Sequence, residues 1–103
     1  MDYLKGIVSI FENHEISKYS ELKYEKFNES EKHPSSEGII FESLDFAGEI
    51  FYYKNMEYYE IEFLIFKTER HKFKTIENPS LAELKKAITE FLNKRINELK
   101  NVA

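Results

Sequence analysis

Among the side chains able to move a proton or hold a metal are three histidines, His14, His33 and His71, and nineteen carboxylates. There is no cysteine, so thiolate nucleophiles, disulfides and thiolate-bound metals are all removed from consideration. The histidines lie far apart beside Glu12, Glu15 and Glu69, and none makes an HExxH-type pair on one helix face. No metal and no cofactor is expected. Acid-base catalysis needs a carboxylate in a partly dry pocket, where desolvation shifts its pKa toward the working range. Glu49, Glu60 and Glu62 cluster on one expected face of a hairpin, and Phe51, Tyr53, Tyr58 and Leu64 share that face. A glycosidase-like carboxylate pair is available by residue type, yet nothing in the pattern points to a sugar cleft. No GxSxG elbow, Walker loop or GxGxxG run occurs, and three glycines leave no phosphate cradle. The expectation is a protein with no catalytic residues, and that cluster reads as a contact surface.

The elements that must carry these residues follow from periodicity. Gly48 to Phe66 alternates aromatic and β-branched residues with charged ones around a polar turn, the pattern of a β-hairpin. If Asn55 and Met56 form the tip, Tyr53 pairs with Tyr58, Phe51 with Glu60 and Glu49 with Glu62 on one face. A four-residue loop over Lys54 to Glu57 keeps the same pairing. Tyr52, Tyr59, Ile50, Ile61, Phe63 and Ile65 then form the core face, because strand side chains alternate with period 2.

Before the hairpin, Leu4, Ile7, Val8 and Phe11 recur at helical spacing over Asp2 to about Asn13. Ile16 to His33 is the least decided stretch, with an edge strand expected over Ser20 to Phe27. Asn28 to Ser36 reads as a surface loop, and Gly38 starts a strand that ends near Asp45. After the hairpin, Lys67 to His71 reads as a charged turn and Lys72 to Ile76 as a last short strand, stopped by Asn78 and Pro79. Ser80 and Glu83 have the spacing of a capping box. Leu81, Leu84, Ile88, Phe91, Leu92, Ile96 and Leu99 then make one stripe of a long helix. The short links between strands demand antiparallel neighbours. The predicted fold is α+β, a single domain over residues 1–103. It holds an N-terminal helix, an antiparallel meander of about four to five strands, and a long C-terminal helix packed on one sheet face.

Composition and charge limit the partners. The chain is 42% hydrophobic and 16% aromatic, which is that of a folded domain and not of a disordered segment. Its first 66 residues carry 14 acidic and 6 basic side chains, and the remainder 5 acidic and 9 basic. An acidic surface repels phosphate and attracts cations, so a basic protein is a better partner than nucleic acid. Aromatics on an open sheet can stack single-stranded bases, but the basic residues that would hold its backbone, such as Lys72, Lys74, Lys85, Lys86, Lys94 and Arg95, lie elsewhere. No run of about 20 apolar residues occurs, so no membrane partner is expected. The absence of a basic, apolar leader and of cysteine points to the cytoplasm.

Gly48 with Ile50 to Tyr53 (IFYY), Glu57 to Phe63 (EYYEIEF) and Ser80 to Leu92 (SLAELKKAITEFL) resemble the small bacterial immunity proteins of the TriTu type. These accompany polymorphic and contact-dependent growth-inhibition toxins, and the resemblance spans about residues 36–96. Tyr53 stands where the family pattern has a tryptophan. The resemblance implies a protein that binds and neutralises a cognate toxin domain, often a nuclease. The expected contact set is Glu49, Phe51, Tyr53, Tyr58, Glu60 and Glu62. A small enzyme pairing Glu60 with a histidine, and a structural or oligomerisation module using the same face, are the alternatives.

Overall fold

The computed structural model describes residues 3–28 and 36–101. The chain is α+β: a helix, five antiparallel strands in one open sheet, and a long helix packed on that sheet. Helix α1 spans Tyr3–Glu12, and its Leu4, Ile7, Val8 and Phe11 are buried as their spacing requires. A 3₁₀ turn at Glu15–Lys18 follows, and its Ile16 is fully buried. The sheet is a meander of β1 (Lys23–Phe27), β2 (Ser36–Glu42), β3 (Phe46–Tyr53), β4 (Tyr58–Ile65) and β5 (Arg70–Glu77), paired in that order. Helix α2 spans Leu81–Asn101.

Several boundaries differ from the sequence reading, each for a local reason. Strand β1 starts at Lys23 instead of Ser20, because Glu21 takes a left-handed φ of 59° and Leu22 N–H donates to Tyr19 O at 3.1 Å. Strand β2 begins at Ser36 and stops at Glu42. The turn is Ser43–Asp45, closed by Ser43 N–H to Phe46 O at 2.9 Å and by Asp45 N–H to the Ser43 hydroxyl at 3.1 Å. Phe46 and Ala47 therefore open β3, two residues before the Gly48 start expected for the hairpin. In the hairpin the four-residue loop Lys54–Glu57 is the one formed, with Glu57 at φ 52°. The pairing is Tyr53 with Tyr58, Phe51 with Glu60 and Glu49 with Glu62, as the alternation requires. Strand β5 is longer than expected and begins at Arg70. Of the predicted loop, residues 29–35 lie outside the described residues, and His33 with them.

One sheet face is filled. Ile39, Phe41, Phe46, Ile50, Tyr52, Tyr59, Ile61, Phe63 and Ile65 join the buried residues of both helices in a single core. Gly48 sits on that face between Phe41 and Phe63 in one cross-strand row, and a Cβ there would come 2.7 Å from Glu62 O and into the Phe41 ring. The missing side chain lets the two rings approach to 6.0 Å between centroids. Phe11 of α1 closes on Phe41 at 4.9 Å.

Helix α2 starts with the expected capping box, in which Glu83 N–H donates to the Ser80 hydroxyl and Ser80 N–H to the Glu83 carboxylate, both at 3.2 Å. Its stripe is buried from Leu84 to Leu99. The exception is Leu81, which was expected to cover the sheet but is 54% exposed beside α1. Arg95 is buried within the stripe, its guanidinium 4.6 Å over the Phe91 ring and bonded to Glu98 at 2.8 Å. The two helices lie side by side and run the same way, since Gly6 faces Leu81 near both starts and His14 meets Asn93 further along.

Candidate functional site: the open face of the sheet

Every second residue of each strand points away from the helices, and the register arranges them in rows. One row is Glu25, Ile40, Glu49, Glu62 and Phe73; the next is Phe27, Gly38, Phe51, Glu60 and Thr75; a third holds Ser36, Tyr53, Tyr58 and Glu77. Among the described residues no helix covers this face. Strands β2, β3 and β4 present no Lys, Arg or His on it, but they do present Glu42, Glu49, Glu60 and Glu62. Lys23, on the outermost strand β1, is the nearest lysine by register, and His71 lies on the opposite outermost strand, β5.

The six residues expected to form the contact set all occupy this face. Glu49, Tyr53, Tyr58, Glu60 and Glu62 are half-buried, so each keeps accessible surface. Phe51 is only 7% exposed. Its ring lies 6.1 Å from Phe27, two strands away, because Gly38 between them has no side chain; a Cβ on Gly38 would collide with Ile50 O and Phe51 Cα. Tyr53 packs on its other side at 6.4 Å. Phe51 therefore forms the floor of the face, between Phe27 and Tyr53. Tyr53 and Tyr58 stack at 5.1 Å with 25° between planes, forming a flat aromatic end.

The carboxylates crowd. Glu49 faces Glu62 directly across the strand pair, where Cβ atoms are about 5 Å apart, and like charges so placed repel. Desolvation, a hydrogen bond between the Glu60 and Glu62 side chains and the Glu62 charge all push the Glu60 carboxyl above its ordinary value, while a bond from Tyr58 opposes this. The same field acts on the phenols. Burial and then Glu60, Glu49, Tyr58 and Glu62 raise Tyr53, and burial, the Glu60 charge and a bond to Glu60 raise Tyr58. Beside the Glu49–Glu62 pair lies a depression of about 280 Å³ lined by Ile40, Ala47, Leu64 and His71 as well as the two carboxylates. Its apolar walls and acidic rim match a cationic side chain with an aliphatic stem.

Two residues of the face escaped the sequence reading. Ile40 is 41% exposed and Phe73 65% exposed, and they bracket Glu49 and Glu62 in one row. The alternation along β2 and β5 contained the signal, but only pairing to the hairpin places them beside its carboxylates. Of the two described histidines, His71 lines the depression with Glu49 and Glu62, and His14 lies away from the carboxylates between the helices. His14 is buried, its Nδ1 accepting Ile16 N–H at 3.0 Å, so Nε2 carries the proton and donates to Asn93 Oδ1 at 2.7 Å. His71 stands in the neighbouring row, opposite Leu64, and its ring lies 6.3 Å from Phe73. Among the described residues no group of three or more His, Asp or Glu is placed to hold a metal ion, and no helix is long and apolar enough to cross a membrane.

No family model matches the chain, no curated protein is significantly similar to it, and no solved structure resembles it significantly. The face has to be interpreted from its own chemistry.

Proposed function

We propose that the protein works by binding, as an immunity protein that neutralises a toxin domain with a basic surface, often a nuclease, and that the open sheet face is its contact surface. One observation carries this reading: four carboxylates and two stacked tyrosines share an uncovered face whose three central strands hold no cation. Crowded carboxylates destabilise the free protein slightly, and a cationic partner reverses the sign of that term. Tyr53, Tyr58, Ile40 and Phe73 supply accessible aromatic and aliphatic area around the charges, which is the make-up of an interface centre. A face-to-face homodimer is disfavoured by the same residues, since it would stack carboxylate on carboxylate. An acid-base enzyme is disfavoured because the raised Glu60 sits among the described residues on an open sheet face, outside the depression beside Glu49 and Glu62.

The resemblance to toxin-neutralising immunity proteins names the partner class. The test is co-expression with the product of the adjacent gene, scored by growth protection and by co-purification. Wild type protects and co-purifies; Glu60→Lys with Tyr53→Ala loses both while its circular dichroism stays native. Retained protection by that folded variant would place the contact elsewhere.

A further inference from the structure

A second concavity lies on the opposite side of the molecule, between α1 and α2. It measures about 500 Å³ and is lined by Gly6, Ser9, Ile10 and Asn13 from α1 with Leu81, Lys85 and Thr89 from α2, and His14 at its end. Gly6 faces Leu81 at the helix starts, and the further lining residues follow in order along each helix, Ser9, Ile10 and Asn13 on α1 and Lys85 and Thr89 on α2, as successive rungs. Positions three to four apart on each helix set these rungs about 5.4 Å apart. Their chemistry is ordered, apolar at the helix starts, cationic in the middle, amide and hydroxyl at the far end.

Three features make this more than a gap between helices. Leu81 is 54% exposed although it belongs by sequence to the buried stripe, so an apolar side chain waits at the first rung. Gly6 is an interior helix residue, where glycine costs about 1 kcal/mol relative to alanine. A Cβ there would meet only Leu81 Cδ1 at an ordinary 3.7 Å, so packing within the chain does not demand a glycine, and its bare backbone deepens the groove. No carboxylate lines the groove, and among the described residues Lys85 has no ion pair.

The geometry points to this groove as the seat for an amphipathic helix of a partner protein, docked through an apolar residue over Gly6 and Leu81, a carboxylate on Lys85, and a polar side chain at Asn13 and Thr89. A helix presents residues at i, i+4 and i+7 with the same rung spacing as the groove. It also needs burial on one side only, whereas a small ligand in so open a trough would keep much of its surface in water. The seat does not depend on the reading of the sheet face, and its charge preference is the reverse.

The test uses the full chain, ¹⁵N-labelled, titrated with a synthetic amphipathic helical peptide bearing Leu, Glu and Gln at i, i+4 and i+7, and with a matched peptide carrying Lys for Glu. The acidic peptide is expected to shift the amides of Gly6, Ser9, Lys85 and Thr89 saturably and to bind at least about tenfold more tightly than its Lys counterpart. Lys85→Glu should reverse that preference. Gly6→Ala should melt no lower than wild type yet weaken the acidic peptide, which separates binding from folding. Equal binding of the two peptides, shifts confined to other surfaces, or no saturation by about 1 mM would overturn the proposal. So would saturable groove shifts with decanoate and none with peptide, because the occupant would then be a small amphiphilic carboxylate.

Discussion

The two faces of the hairpin are built from the same eight-residue strands, yet they do opposite work. On the helix side, Ile50, Tyr52, Tyr59, Ile61, Phe63 and Ile65 are nearly dry and closed by α1 and α2. On the other side, Glu49, Tyr53, Tyr58, Glu60 and Glu62 keep surface, and the charges repel one another. The first set lowers the free energy of the fold by removing apolar area from water, about 25 cal/mol per Å². The second set gains little from folding and is explained better by something outside the chain. A pair of adjacent residues in β4 therefore reports on two different properties.

The largest break in this comparison is Ile61→Asp, which buries an unpaired charge in the core. It should cost at least about 4 kcal/mol or prevent folding, measured by urea denaturation, whereas its neighbour Glu60→Ala should stay within about 0.5 kcal/mol of wild type. Equal effects would mean that the faces are wrongly assigned. Gly48→Ala is next. The added methyl meets Glu62 O at 2.7 Å and the Phe41 ring, so the covered face should lose about 1 to 3 kcal/mol by overpacking. A third change probes how the helices are held over that face: Asn93→Ala removes the acceptor of His14 Nε2–H and should cost about 1 to 2 kcal/mol.

Smaller effects come from titration. The capping bonds hold the Glu83 carboxyl below its ordinary value, so their stabilisation is present above the unfolded pKa and fades as pH falls through the folded one. Ser80→Ala should accordingly cost about 1 kcal/mol at neutral pH and less in acid. Glu60 has the opposite sign. Its raised carboxyl favours the folded state below the ordinary carboxylate pKa, and that contribution is lost as pH rises through the folded value. Glu60→Gln should thus flatten the stability profile just above the ordinary carboxylate range, by about a few tenths of a kcal/mol because the group is largely solvated.

The hairpin was readable from sequence because its alternation is strict and its pairs lie within one short loop of each other. The capping box and the stripe of α2 were readable for the same reason, as local patterns. What was hidden depends on strands or helices meeting from far along the chain. Phe51 turns inward onto Phe27 only because β1 and β3 flank Gly38 of β2, and nothing near Phe51 in sequence carries that information. Phe73 and Ile40 join the face through the same long-range register. His14 bonds Asn93, and Leu81 is left exposed, through the parallel placement of two helices joined by the whole sheet. Arg95 looked like one more surface cation until its ring contact and Glu98 were in place.

The most direct measurement compares stability and partner affinity on one pair of variants, Glu60→Lys with Tyr53→Ala against Ile61→Val. Urea midpoints and calorimetric titration with the adjacent gene's product give both quantities. The account predicts that the open-face variant loses no more than about 1 to 2 kcal/mol of stability, from the Tyr53 ring contacts, and at least about 100-fold in affinity, as hot-spot truncation with charge reversal would. Ile61→Val should lose about 1 kcal/mol of stability and keep its affinity. An open-face variant that binds as tightly as wild type, with an intact fold, would contradict the division of the sheet into a folding face and a binding face.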